Sequence, residues 1–119
     1  MRLSDLDPRF VGAGGDGVFD KNGAPVPYRR GVGLSFLCPC DPCAAQRTGD
    51  RDKDFHLRVF VEFSNPLDGG APHRSDCHTW LRTGETFDRM TLRPSILSTK
   101  EKGGCGWHGF VTNGEVTSC

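Results

Sequence analysis

Along most of this chain apolar and polar residues alternate in short runs, and no long segment repeats with helical spacing. In Gly31-Val32-Gly33-Leu34-Ser35-Phe36-Leu37-Cys38 the side chains of Val32, Leu34 and Phe36 fall on one face, which predicts a strand. Leu57-Arg58-Val59-Phe60-Val61-Glu62-Phe63 is the clearest case: Leu57, Val59, Val61 and Phe63 face one way, with Arg58 and Glu62 opposite. It stops at Asn65-Pro66-Leu67-Asp68-Gly69-Gly70, a run of turn formers. A short strand is expected at Thr79-Trp80-Leu81-Arg82, then one at Thr91 to Leu97 and another at Cys105 to Val111. Asn113-Gly114 marks a tight hairpin into Glu115-Val116-Thr117-Ser118-Cys119. Helix is confined to a turn or two between Cys43 and Asp50.

These elements predict a mainly β protein: a small, strongly bent antiparallel sheet or partly open barrel with long loops. Residues 1–30 lack a clear period and contain Gly12-Ala13-Gly14-Gly15-Asp16-Gly17, so they read as an irregular, extended N-terminal arm. Residues 31–119 form the single compact β domain. The glycine run has no P-loop lysine after it and no strand–helix setting, which argues against a phosphate cradle.

The strands around Ser95 and His108 bring chemistry into the pattern. A turn centred between Glu101 and Lys102 sets Leu92 against Val111 and Ile96 against Trp107 on an apolar face. On the other face Ser95 opposes His108 and Arg93 opposes Phe110. A slip of one residue would mix the faces, so the alternation supports this register. Opposed Cβ atoms lie roughly 4.5–5.5 Å apart, within which a serine hydroxyl reaches an imidazole. Pro94 lacks a backbone donor and predicts an edge position or a bulge, either of which exposes Ser95. Ser95 as nucleophile and His108 as general base are the candidate catalytic pair. Asp76, Glu85 and Asp88 are the candidates for a third member, and a dyad without one is the alternative. Trp80, Arg82 and Arg93 are the candidate substrate-binding residues. Arg82, Arg93 or backbone donors near Ser95 could stabilise an oxyanion, and an extended peptide could add as a strand at an open edge.

Composition narrows the classes. The 119 residues carry fifteen basic and fifteen acidic side chains, scattered along the chain, which argues against a nucleic-acid partner. No apolar stretch is long enough to span a membrane, and Met1-Arg2-Leu3-Ser4-Asp5 begins no signal peptide. The expected location is the cytoplasm of a host cell, or a virion assembled there, where thiols stay reduced.

The six cysteines are therefore candidate ligands. Cys38-Pro39-Cys40-Asp41-Pro42-Cys43 packs three thiols into six residues, and Cys40 and Cys43 have the spacing to share one tetrahedral ion. A structural zinc held by Cys40, Cys43, Cys105 and Cys119 is the preferred reading, with plain thiols and disulfides as alternatives. Redox catalysis by the Cys-X-X-Cys pair would need a βαβ setting that the pattern does not show. The run His73-Arg74-Ser75-Asp76-Cys77-His78 offers further ligands but suits a solvated loop better.

Four motifs occur in order: Asn65 to Gly70, Trp80 to Phe87, Thr91 to Ile96, and Trp107-His108-Gly109-Phe110-Val111-Thr112-Asn113-Gly114-Glu115-Val116. Together with the cysteine-rich segment after Phe36, they make residues 31–119 resemble a family of small phage and bacterial proteins. It includes the BubE-type serine peptidases of bacterial ubiquitin-like (Bub) operons and phage proteins that carry the label "ammonia monooxygenase". The resemblance implies a peptidase acting on a ubiquitin-like protein, with Ser95 matching the nucleophile and His108 its base. The expected function is thus that of a phage or prophage serine-peptidase-like hydrolase working on a peptide or ubiquitin-like tail. The alternative is a non-enzymatic structural or interaction module, zinc-stabilised, whose arm docks on a virion or host protein.

Overall fold

Alternation and turn chemistry divide the chain into two antiparallel sheets in the computed structural model, which describes residues 1–73, 78–98 and 105–119. A 3₁₀ turn at Leu3–Leu6 precedes β1 (Arg9–Ala13), β2 (Arg29–Leu37), the short helix α1 (Asp41–Gln46) and a second 3₁₀ turn at Phe55–Leu57. Then follow β3 (Arg58–Glu62), β4 (Leu81–Thr83), β5 (Thr91–Leu97), β6 (His108–Thr112) and β7 (Glu115–Ser118). The sheets have the orders β1-β2-β3 and β4-β5-β6-β7 and do not close into a barrel, so the mainly β expectation holds in its open form.

The faces fall as the periodicity predicts. Leu34 pairs with Val61 and Phe36 with Val59, and all four are buried. They meet Leu92, Ile96, Trp107, Val111 and Val116 of the second sheet in one apolar cluster. β2 is buried on both sides, since Gly31, Gly33 and Ser35 are covered too. The cover over Ser35 is the nearly enclosed Arg58 side chain, which bonds Ser35 Oγ at 3.1 Å and Asp7 at 3.1 Å. A buried guanidinium needs such partners, because an unpaired charge in the interior is costly.

The two sheets are joined through Trp80. Its backbone N–H donates to Glu62 (2.8 Å) and its carbonyl accepts from Ser64 (2.9 Å), a parallel bridge beside Phe63. Asn65 extends the junction by holding both backbone groups of Arg82.

Residues 1–30 depart from the expected extended arm. Leu3 and Leu6 are fully buried in the shared core, and β1 pairs along β2 from Arg9↔Ser35 to Ala13↔Arg29. Apolar Leu3, Leu6 and Phe10 were hidden from the periodic reading because a 3₁₀ turn and a five-residue strand are each too short to show a repeat. The hairpin from Gly15 to Val26 is exposed over residues 16–25 and is closed by Gly15–Val26 and Asp20–Ala24 backbone bonds.

Candidate functional site

β5 carries Ser95 past a break in its ladder with β6. Leu92 pairs with Val111 as expected, but Ile96 pairs with Gly109 and Leu97 with His108. Four steps along β5 thus match two along β6, from residues 92 to 96 against 111 to 109. The expected pairs Ile96–Trp107, Ser95–His108 and Arg93–Phe110 give way to this bulge. Pro94, with no N–H to offer, lies inside it. The turn expected between Glu101 and Lys102 lies outside the described residues, as do Asp76 and Cys77.

Because the offset is an even number, Leu92 and Ile96 stay on one face and Arg93 and Leu97 on the other. Leu92, Ile96, Val111 and Trp107 are buried, whereas His108 and its neighbours Leu97 and Phe110 are exposed and Ser95 is half-buried. Ser95 therefore meets His108 on a diagonal, with its hydroxyl 2.8 Å from His108 Nε2. When the ring proton sits on Nδ1, Nε2 accepts the hydroxyl's hydrogen bond, which is the arrangement a general base requires.

No carboxylate hydrogen-bonds His108 among the described residues. Asp88 sits against Gly114, in the turn that follows the far end of β6. His108 begins that strand, about 13 Å away at 3.3 Å per residue. Glu85 follows Gly84, which packs on Arg89 and Met90 at the same far end. Geometry separates both from the pair.

Three further side chains were expected to touch substrate. Arg93 is exposed on the outer face, two residues before Ser95. Arg82 is half-buried. Its register partner is the buried Leu92, so it points inward; its guanidinium donates to the carbonyls of Gly84 (2.8 Å) and Asn65 (3.1 Å) and lies over the Phe63 ring. Alternation alone could have placed it there, since cross-strand partners share a face. Trp80 is half-buried against the core and its indole N–H donates to the Ser95 carbonyl at 3.1 Å. It supports the strand that carries the serine. His78 stacks edge-on to the same indole.

The cysteines form a second centre. The sulfurs of Cys38, Cys40, Cys43 and Cys105 all lie within 4.8 Å of one another. Cys38 Sγ is 3.5 Å from Cys40 Sγ and 3.4 Å from Cys105 Sγ, and Cys40 to Cys105 is 3.6 Å. None is a disulfide. Four thiolates around one ion at about 2.3 Å would sit about 3.8 Å apart, close to this spacing. Burial, foremost, pushes the Cys38 thiol up and raises Cys43 to about 12. Cys105 moves down: burial opposes this, but the Trp107 backbone N–H and the three neighbouring thiols outweigh it.

Cys38 replaces Cys119 in the expected set. Cys119 is exposed and takes the ladder position beside His108, its N–H donating to the His108 carbonyl at 3.0 Å. The triple-thiol run was the signal for Cys38; with Cys40 in extended backbone at the entry to α1, all three sulfurs converge.

No curated protein and no solved structure matches this chain. Residues 75–119 match the family model described as bacterial ubiquitination-like system serine protease (BubE). That segment contains both members of the Ser95–His108 pair.

Proposed function

We propose that the protein is a serine-peptidase-like hydrolase whose Ser95–His108 pair cleaves an amide or ester in an extended peptide, such as the tail of a ubiquitin-like protein. The observation that carries this reading is the 2.8 Å hydrogen bond on an open face. His108 Nε2 takes the hydroxyl proton as Ser95 Oγ attacks the carbonyl, and returns it to the leaving nitrogen or oxygen. Water then attacks the acyl-enzyme, with His108 again the base. The oxyanion would be met by the Arg93 guanidinium or by backbone donors in the interrupted ladder.

Leu97 (52 % exposed) and Phe110 (44 % exposed) flank His108 on the outer face. Both sheet edges are partly taken: Asn65 holds Arg82 of β4, and backbone bonds from Met1 and Leu3 run along the start of β7. The tail is therefore proposed to lie across the face over Leu97 and Phe110 instead of adding as a further strand. The four sulfurs are proposed to hold a structural zinc, for which tetrahedral thiolate is the usual donor set. No helix among the described residues is long and apolar enough to cross a membrane. A host cytoplasm, or a virion of phage origin, is the proposed setting.

A second reading, a structural module that binds a virion or host protein, is favoured by exposed Val18, Phe19 and Tyr28 around the Gly15–Val26 hairpin. A fluorophosphonate probe decides for or against catalysis. The wild type is expected to label at Ser95, with Ser95→Ala silent and His108→Ala slowed by about 10²–10⁴-fold. No labelling of the wild type, or equal labelling of Ser95→Ala, sinks the hydrolase.

A further inference from the structure

We infer that the four-cysteine site is a clasp that ties the start of β6 to the first sheet and so sets His108 against Ser95. This rests on the zinc and Ser95–His108 readings above. Its ligands come from two distant parts of the chain. Cys38 follows directly on β2, Cys40 and Cys43 lie at and within the start of α1, and Cys105 stands three residues before His108.

The segment from Cys105 to His108 is short and held at each step. Gly106 N–H donates to the Ser98 carbonyl and Ser98 N–H to the Trp107 carbonyl, at 2.6 and 2.8 Å. Gly106 turns there with φ of 86°, a conformation that favours glycine. The Trp107 ring meets Phe36 edge-on at 6.1 Å, and its N–H bonds Ser118 Oγ at 2.9 Å. Any displacement of Cys105 must therefore pass through two residues to His108. That residue opens β6, and among the described residues its ring has one hydrogen-bond partner, Ser95.

Without a metal the four sulfurs meet only as thiol against thiol. Thiols are weak donors and weak acceptors. With a metal, the same contact consists of coordinate bonds that fix Cys105 relative to Cys38, Cys40 and Cys43. Gly109 and Val111 pair on both sides, with β5 and β7, and Phe110 and Thr112 pair with β7, so β6 itself does not depend on the clasp. The metal thus acts on the placement of its first residue.

The test begins with protein purified under reducing conditions. One equivalent of zinc is expected, and less than half an equivalent overturns the proposal. In a second variant two glycines are inserted between Cys105 and Gly106, which lengthens the tether while leaving all four sulfurs. The expected result is full zinc content, displaced His108 imidazole resonances, and fluorophosphonate labelling of Ser95 slowed about tenfold or more. Unchanged imidazole resonances and labelling in the insertion variant with full zinc would show a metal that braces the fold without placing the histidine. Cys105→His, which can still ligate zinc, is expected to retain more labelling than Cys105→Ser; equal loss in the two counts against the clasp. Should the wild type prove inert to the probe, the hydrolase reading falls. Zinc content and the imidazole resonances still decide the clasp.

Discussion

At Ser95 the backbone is held as firmly as the side chain. The Trp80 indole donates to the Ser95 carbonyl while the hydroxyl reaches His108, so two bonds fix the serine from opposite ends. Trp80→Phe keeps most of the ring and removes that donor. We expect a stability loss of about 1–2 kcal/mol in denaturant melts, and Ser95 labelling slowed about tenfold through misplacement of the nucleophile. Unaltered labelling would reduce Trp80 to a core residue. The pair itself was legible in the sequence, because alternation puts residues 95 and 108 on the face opposite 92, 96 and 111. The direction of Arg82 was legible by the same rule. Cys38 in place of Cys119 was not, since spacing shows that thiols can converge but not which distant one arrives.

Among the strands, the break between Leu92 and Ile96 explains what the pattern could and could not disclose. An offset of two leaves the apolar and polar faces unchanged, so no count of alternating residues detects it. The hydrogen bond survives because Ser95 and His108 are then diagonal neighbours on one face. Gly109 is the β6 residue opposite Ile96, and a Cβ there would collide with the Trp107 ring and the Thr117 carbonyl. Backbone cannot give way as a flexible side chain can. Gly109→Ala is therefore expected to cost about 2–3 kcal/mol, measured by denaturant midpoint, whereas Thr112→Ala on the exposed end of the same strand should cost little.

Across the molecule, the loop after β3 is fastened to β2 by Arg29, which donates to both Asp68 oxygens (2.8 and 3.0 Å) and to the Ala71 carbonyl (2.7 Å). The Arg29 guanidinium, followed by the Gly70 N–H, holds the Asp68 carboxyl down at about 2. An unfolded aspartate titrates near ~3.9. Over the interval between them the unfolded chain binds the more protons, so this contribution is complete above about pH 4 and fades as pH falls toward 2. Asp68→Asn should flatten that part of the stability profile, and an identical acid slope in the variant would remove the pair from the account. Another long connection has a consequence for how the chain is made. The Leu3 N–H is bonded to the Gly114 carbonyl, and Leu3 shares a core with Val111 and Val116. During synthesis Leu3 must therefore wait, its apolar side chain without its final cover, until Gly114 and Val116 have emerged. Contacts separated this widely in sequence favour slow, late closure, so a chain halted before Gly114 is predicted to be a target for proteases and chaperones rather than a half-built domain.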